Sequence, residues 1–355
     1  MDPSRLIPTP DTIPVHYAWF YVLLMLTFVL HILFMNAMLG SGIIALVNHI
    51  RRPGSENTIS PSLAKNLTFI IAFTVNIGVA PLLFLQVIYG HFFYVSSILM
   101  AVYWISVIGL LIIAYYSAYI YKLKYDKLGQ WGFIFIGLTV VILLIIAFFY
   151  TNNLTLMLQP DKWKSYFQHP GGTILNLKDA TLFPRYLHFV TASIAIGGLF
   201  LALLGHFGST KGKKEAGQQI TMGLEWFSYA TLVQIMVGLW FLISLPDKTM
   251  LLFMGGNRLH TIIFLIGILG AVLSLVFGFK KQLRPALVSV TGTIILMVIM
   301  RDLVRRAYLD SYYSLSSLKL VPQYSSLILF LICFVIGLII VGFMLKSAAK
   351  AGKEI

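Results

Sequence analysis

The chain has 355 residues, 59% of them hydrophobic and only 11% charged, with a mean hydropathy of +0.88. No soluble domain of this length has that balance, so the composition describes a helical protein that crosses a membrane many times. The formal charge of +14 comes from 26 Lys and Arg against 12 Asp and Glu, but the basic residues stand in short clusters between apolar runs, the pattern of loops at one membrane face and not of a nucleic-acid surface.

Cys333 is the single cysteine and lies inside an apolar run, which excludes an internal disulfide, a Cys-rich metal site and covalently attached c-type haem. The first ten residues lack a signal-peptide pattern, and the apolar stretch that follows is too long for one.

Nine apolar spans follow in order, at 17–48, 66–90, 95–121, 130–151, 183–207, 222–245, 258–279, 286–304 and 323–346. The segments after the odd-numbered spans are basic: Arg51, Arg52 and Lys65; Lys122, Lys124 and Lys127; Lys211, Lys213 and Lys214; Lys280, Lys281 and Arg284; Lys346, Lys350 and Lys353. Short basic loops face the cytoplasm, which predicts an outside N-terminus and a cytoplasmic C-terminus. The expected fold is therefore all-α, a polytopic bundle of about nine transmembrane helices forming one integral-membrane unit over 1–355. The other connections differ in kind. Residues 152–182 carry Trp163, Tyr166, Phe167 and His169 with a Pro-Gly-Gly turn, and Arg305 to Gln323 is rich in Tyr and Ser. Such loops suit a cap or a docking surface, although interfacial aromatics are also ordinary membrane anchors.

Histidine in a membrane span is costly and marks a functional site by default. His31 precedes His49 by 18 residues, His188 precedes His206 by 18, and His260 precedes Lys280 by 20. At about 1.5 Å per residue, the three leading histidines share one depth, about 27–30 Å above the inner edge. Arg301 and Asp302, 17 and 18 residues beyond Arg284, arrive at that level on span 8. Arg185 precedes His188 by three residues and Arg258 precedes His260 by two. Neutral imidazole is an axial ligand for haem iron, and guanidinium pairs with propionate. Zinc would want a tighter set with Cys or carboxylate ligands. His49 and His206, flanked by basic residues, read as interfacial. His16, His91 and His169 read as solvated histidines at or beyond the opposite boundary.

These features resemble subunit I of the cytochrome bd quinol oxidases over all nine spans. Phe28-Val-Leu-His31 is similar to the family's first-helix haem ligand. Asn76-Ile-Gly-Val-Ala-Pro with Tyr89-Gly90 is similar to its second helix, and Arg185-Tyr-Leu-His188-Phe-Val-Thr-Ala-Ser to the low-spin haem b motif. The family's second ligand to that haem is a methionine two residues after an arginine; this chain reads Arg258-Leu-His260, so the resemblance implies bis-histidine ligation. Met297 and Met300 are candidates for a sixth ligand to a second haem at His31.

The departures are equally specific. Span 3 has no acid where the family has two glutamates, and Val298 stands at the high-spin haem's glutamate position. The long quinol loop is reduced to Pro246–Asn257, and the Gly-Arg-Gln-Pro-Trp motif is replaced by Arg305-Arg306-Ala-Tyr308.

Together these features imply a haem b membrane cytochrome used for electron transfer. One haem b would lie between His188 and His260, with Arg185 and Arg258 toward its propionates, and a second at His31. Arg301, Asp302 and Arg305 offer a base and positive charge for quinone chemistry. Electrons would pass between menaquinol or ubiquinol and a periplasmic cytochrome or iron–sulfur protein, alongside other membrane subunits of a respiratory complex in a bacterial or archaeal cell membrane. A divergent oxygen-reducing quinol oxidase subunit and a haem-free scaffold or transporter subunit are the alternatives.

Overall fold

A computed structural model describes residues 2–52, 59–212 and 214–351; Lys213 and Lys353 lie outside the described residues. Among these, nine helices are long and apolar enough to cross a membrane. They are α1 (Tyr17–Arg51), α2 (Ile59–Leu99), α3 (Ala101–Leu123), α4 (Gly132–Met157), α5 (Leu182–Ser209), α6 (Ala216–Ile243), α7 (Arg258–Phe279), α8 (Leu283–Leu309) and α9 (Tyr324–Ala351). Only a helix or a closed barrel satisfies its backbone in lipid, and these Leu-, Ile- and Phe-rich runs take the first course. Their hydroxyls bond into their own turns, as Thr27 does to the Leu23 carbonyl (2.7 Å) and Ser228 to that of Leu224 (2.7 Å).

The nine expected spans correspond to the nine helices with shifted ends: α3 begins at Ala101 and not at 95, α4 runs on to Met157 and α8 to Leu309. The main difference is α2, which runs 41 residues and includes the polar stretch around Ser60 and Lys65 and the segment His91–Ser97. It breaks its helical dihedrals at Tyr89 (φ −133°) and continues. Burial explains the extension: Ser60, His91 and Ser96 are all buried against other helices, so hydropathy alone ends the span too early.

Close approach of backbones sets the centre of the bundle. A Cβ on Gly40 of α1 would lie 1.8 Å from the Ser193 carbonyl oxygen, and one on Gly197 of α5 would lie 2.4 Å from the Gly40 carbonyl carbon. Gly198 and Gly223 bring α5 and α6 together in the same way. Small residues let membrane helices gain packing and polar contacts that lipid cannot supply. One such contact, Ser193 Oγ donating to Asn36 Oδ1 (2.9 Å), ties α5 to α1 just beyond His31 and His188.

The helices alternate in direction, so the basic connections gather at one end and the long aromatic loops at the other. At that loop end Ile13 pairs with Leu320, and Trp163 is buried with its Nε1 donating to the Leu156 carbonyl (2.8 Å). α9 stands apart from this packing: none of its most apolar window is buried.

Candidate functional site

Two cavities lie side by side in the half of the bundle nearer the loop end, with volumes of about 220 and 340 Å³. His188 and Arg185 line the first, and His31 and Arg305 the second. Phe28, Ile32, Phe189 and Arg301 line both, and so form the partition between them.

His31 is held by α2. Its Nδ1 lies 3.2 Å from the Thr74 carbonyl oxygen, which can only accept, so Nδ1 carries the proton and Nε2 keeps a free lone pair. The ring fits there because position 78 is glycine: a Cβ would fall 2.7 Å from His31 Cε1. A helix carbonyl that fixes the tautomer is the usual outer support of a metal-binding imidazole.

His188 is held differently. Gly238 of α6 backs its ring, where a Cβ would lie 3.1 Å from Cε1. Gln234, one turn earlier on α6, places its Nε2 3.1 Å from both ring nitrogens. The Gln234 carboxamide oxygen accepts in turn from the Thr191 hydroxyl. Arg185 is buried, with its guanidinium 4.9 Å from the Phe241 ring centre; among the described residues its Nε and Nη2 have no hydrogen-bond partner.

His260 and Arg258 do not join this group. The His260 ring packs edge-on against Phe253 (5.3 Å between centroids), and it is Phe253 that lines the first cavity. His260 lies one turn from Phe264 and two from Ile268, both cavity residues, so it sits on the right face of α7 but beyond the cavity wall. Its Nδ1 is buried without a partner. Arg258 is exposed and lines neither cavity. The Arg–His spacings differ in a way that matters: residues three apart on a helix share a face, whereas residues two apart are turned by about 200°. Met297 and Met300 line the His188 cavity and not the His31 cavity, which corrects their expected placement.

Asp302 is fully buried and fully engaged. Tyr21 Oη donates to Oδ2 (3.0 Å), Arg306 Nε donates to Oδ2 (2.8 Å) and Arg305 Nη1 donates to Oδ1 (3.3 Å). Arg305 is itself buried, its Nη2 is unpartnered, and its guanidinium stands 4.9 Å from the Tyr89 ring centre. Arg301 lies over Phe28.

Two other histidines depart from expectation. His49 is buried, not interfacial. Its Nδ1 accepts from Tyr121 Oη (3.0 Å), and its Nε2 donates to the carbonyls of Gly129 (3.1 Å) and Gln130 (3.3 Å). With both nitrogens engaged it has no lone pair for a metal, so it locks α1 to α3 and to the turn that precedes α4. His91 is likewise buried, its ring 4.6 Å from that of Tyr313. The sequence alone does not single out Gln234 or Tyr21. Gln234 is detectable as an amide in an apolar span, whereas the role of Tyr21, like the contact of Gly78 with His31, shows only once helices are paired.

The donor set suits haem. Each cavity offers an imidazole and at least one buried guanidinium with unsatisfied N–H groups, the complement of an iron ligand plus carboxylates. Among the described residues no three His, Cys, Asp or Glu gather as a bare-metal site.

No protein-family model matches the sequence, and no curated protein matches it. A solved structure does: the bd oxidase from Geobacillus thermodenitrificans, with a TM-score of 0.65, 13% identity, and 96% of each chain covered. The chain has a bd-oxidase-like fold. At that identity the likeness is one of fold, and the residues must carry the chemistry themselves.

Proposed function

We propose that the chain is a haem b-containing membrane subunit that passes electrons between the quinone pool and a redox partner of a larger respiratory complex. The observation that carries the reading is the paired design of the two cavities. Each is lined by a histidine and by a buried arginine with N–H groups that find no hydrogen-bond partner among the described residues. A buried charged donor without an acceptor is costly, and a propionate would remove that cost.

His188 would hold the haem iron in the first cavity and His31, through Nε2, in the second. Arg185 in the first cavity and Arg305 in the second would pair with the haem propionates, and Arg301 lines both cavities. Haem iron, when bound, supplies reversible one-electron transfer. His260 serves as the second ligand at His188 if Phe253 turns aside; Met297 and Met300 already stand in that cavity's wall. Among the described residues no Asp or Glu lines either cavity, which favours electron transfer over oxygen reduction, a reaction that consumes protons.

Quinol chemistry belongs to the level of Arg301, Asp302 and Arg305. Asp302 shares both oxygens among two guanidiniums and a phenol, so we assign it as the anchor of Arg305 and Arg306 and not as the proton acceptor. The basic end faces the cytoplasm and the loop end the outside, following the charge of the connecting segments. The haem edges would then lie near the outer surface, within reach of a periplasmic cytochrome or iron–sulfur protein docked on the connections 158–181 and 310–323, the parts of the expected 152–182 and 305–323 loops that lie outside α4, α5 and α8. α9, exposed along its length, offers a contact for another membrane subunit. The whole chain forms one integral-membrane unit in a bacterial or archaeal cell membrane.

Reduced-minus-oxidised spectra of the purified protein and of His188→Ala and His31→Ala test the reading. Each substitution is expected to remove a distinct b-type component. Spectra without any haem band in the wild-type protein would refute it.

A further inference from the structure

We propose that Tyr308 and Arg185 form one carboxylate-binding cradle at the loop end of the first cavity, and that it holds a propionate of the haem ligated by His188. The inference rests on the haem reading above and adds Tyr308 to the residues that hold the group.

Buried donors meet there without acceptors. Arg185, in the first turn of α5, leaves Nε and Nη2 unpartnered among the described residues, and Tyr308, in the last turn of α8, leaves its Oη unpartnered. The Arg185 charge acts on the Tyr308 hydroxyl, so the two side chains are electrostatic neighbours. Packing brings both to the same wall. Tyr308 packs against the cluster of Leu245, Phe253 and Val304, and so does Phe241, the ring that faces the Arg185 guanidinium. Phe241, Leu245, Phe253 and Val304 all line the first cavity.

The nearby carboxylates of the chain are already committed. Asp179, in the connection before α5, acts on both Arg185 and Tyr308, but its own oxygens are taken. Its Oδ1 accepts from the Thr181 N–H (2.8 Å) and the Thr181 hydroxyl, and its Oδ2 accepts from Gln159 Nε2. Asp302 is taken by Tyr21, Arg305 and Arg306. Arg305 adds a like charge that acts on Arg185. A buried cation with unmet N–H groups and a like-charged neighbour calls for an anion from outside the chain.

The donors also select the anion. Nε and Nη2 form the side-on edge of a guanidinium, two parallel N–H groups spaced to meet the two oxygens of a carboxylate. Tyr308 Oη adds a third donor, and most of the cavity wall is apolar. Such a site suits an apolar body ending in a carboxylate. Arg258, expected as the second partner of the propionates, is exposed and lines neither cavity; Tyr308 supplies a donor in its place.

The test is redox-difference infrared spectroscopy with a potentiometric titration of the full-length purified protein, its haem isotope-labelled in the propionate carboxylates. Tyr308→Phe keeps the ring and removes only the hydroxyl. It should shift the labelled carboxylate band and lower the potential of the His188 component, because a less screened propionate favours ferric iron. The His31 component should keep its potential. Should Tyr308→Phe fail to fold, Tyr308→Met, apolar and without a donor, takes its place. A labelled band unmoved with both haem components present would overturn the proposal, as would a rise in potential or an equal shift of both components. A shift confined to an unlabelled carboxylate would mark a bound fatty acid and overturn it too. A wild-type protein without haem would instead overturn the underlying reading, before any variant is made.

Discussion

The Arg301 guanidinium lies 4.2 Å from the centre of the Phe28 ring, and both residues line both cavities. A cation shared by two sites couples them: whatever binds one cavity changes the charge seen from the other. Arg301→Leu is therefore expected to shift the potentials of both haem components upon redox titration, whereas Arg185→Leu shifts only that of His188. An Arg301→Leu protein with one component displaced and the other unmoved would show that the side chain serves a single site.

The glycines behind the two histidines give a graded expectation. A methyl group at position 78 would sit 2.7 Å from the His31 ring, and one at position 238 would sit 3.1 Å from that of His188. Gly78→Ala should displace its ring and weaken or remove the His31 component, while Gly238→Ala should broaden or shift the His188 component and keep it. The absorption and EPR spectra of the two variants provide the comparison. Equal effects, or the reverse order, would mean that neither glycine positions its neighbour.

Helix number and type were legible in the chain because lipid imposes one period and one length on every span. The shared depth of His31 and His188 was legible too, since rise per residue converts spacing into height. Azimuth was not. Counting residues from a basic loop says how high His260 stands, but not that Phe253 comes between it and the cavity. The two-residue step from Arg258 to His260 does place them on different faces of the helix, a difference from the three-residue step at Arg185 that the spacing itself carries. His49 and His91 read as boundary residues by hydropathy and are buried by packing, through Tyr121 and Tyr313, partners 72 and 222 positions away in the chain. Gly238 has no sequence signal of its own, because its meaning lies in what approaches it; Gly78 stands in the Asn76-Ile-Gly-Val-Ala-Pro motif, but its contact with His31 shows only once α1 and α2 are paired.

Asp302 carries a prediction of two parts. Asp302→Ala leaves Arg305 buried beside no carboxylate, a change that costs about 3–5 kcal/mol in buried pairs of this kind. Thermal unfolding of that variant should begin at a clearly lower temperature. Asp302→Asn keeps the volume and one acceptor, and quinol-driven haem reduction in it should keep the wild-type pH profile. Loss of that profile with the haem spectrum intact would make Asp302 the proton acceptor after all.

Oxygen reduction is expected to be absent or slow. Reduction to water consumes protons, and among the described residues no carboxylate lines either cavity to deliver them. An oxygen electrode with excess quinol and purified protein would record this directly. Sustained, quinol-dependent and cyanide- or nitric-oxide-sensitive uptake would reassign the chain as an oxidase subunit.

The central claim is that each of the two histidine–arginine cavities holds a haem b. Pyridine-haemochrome quantification against protein mass measures this most directly. The account predicts two haems b per chain, falling to one in His188→Ala and to one in His31→Ala. A purified, folded chain with no haem, or one whose haem content is unaffected by both substitutions, would contradict it.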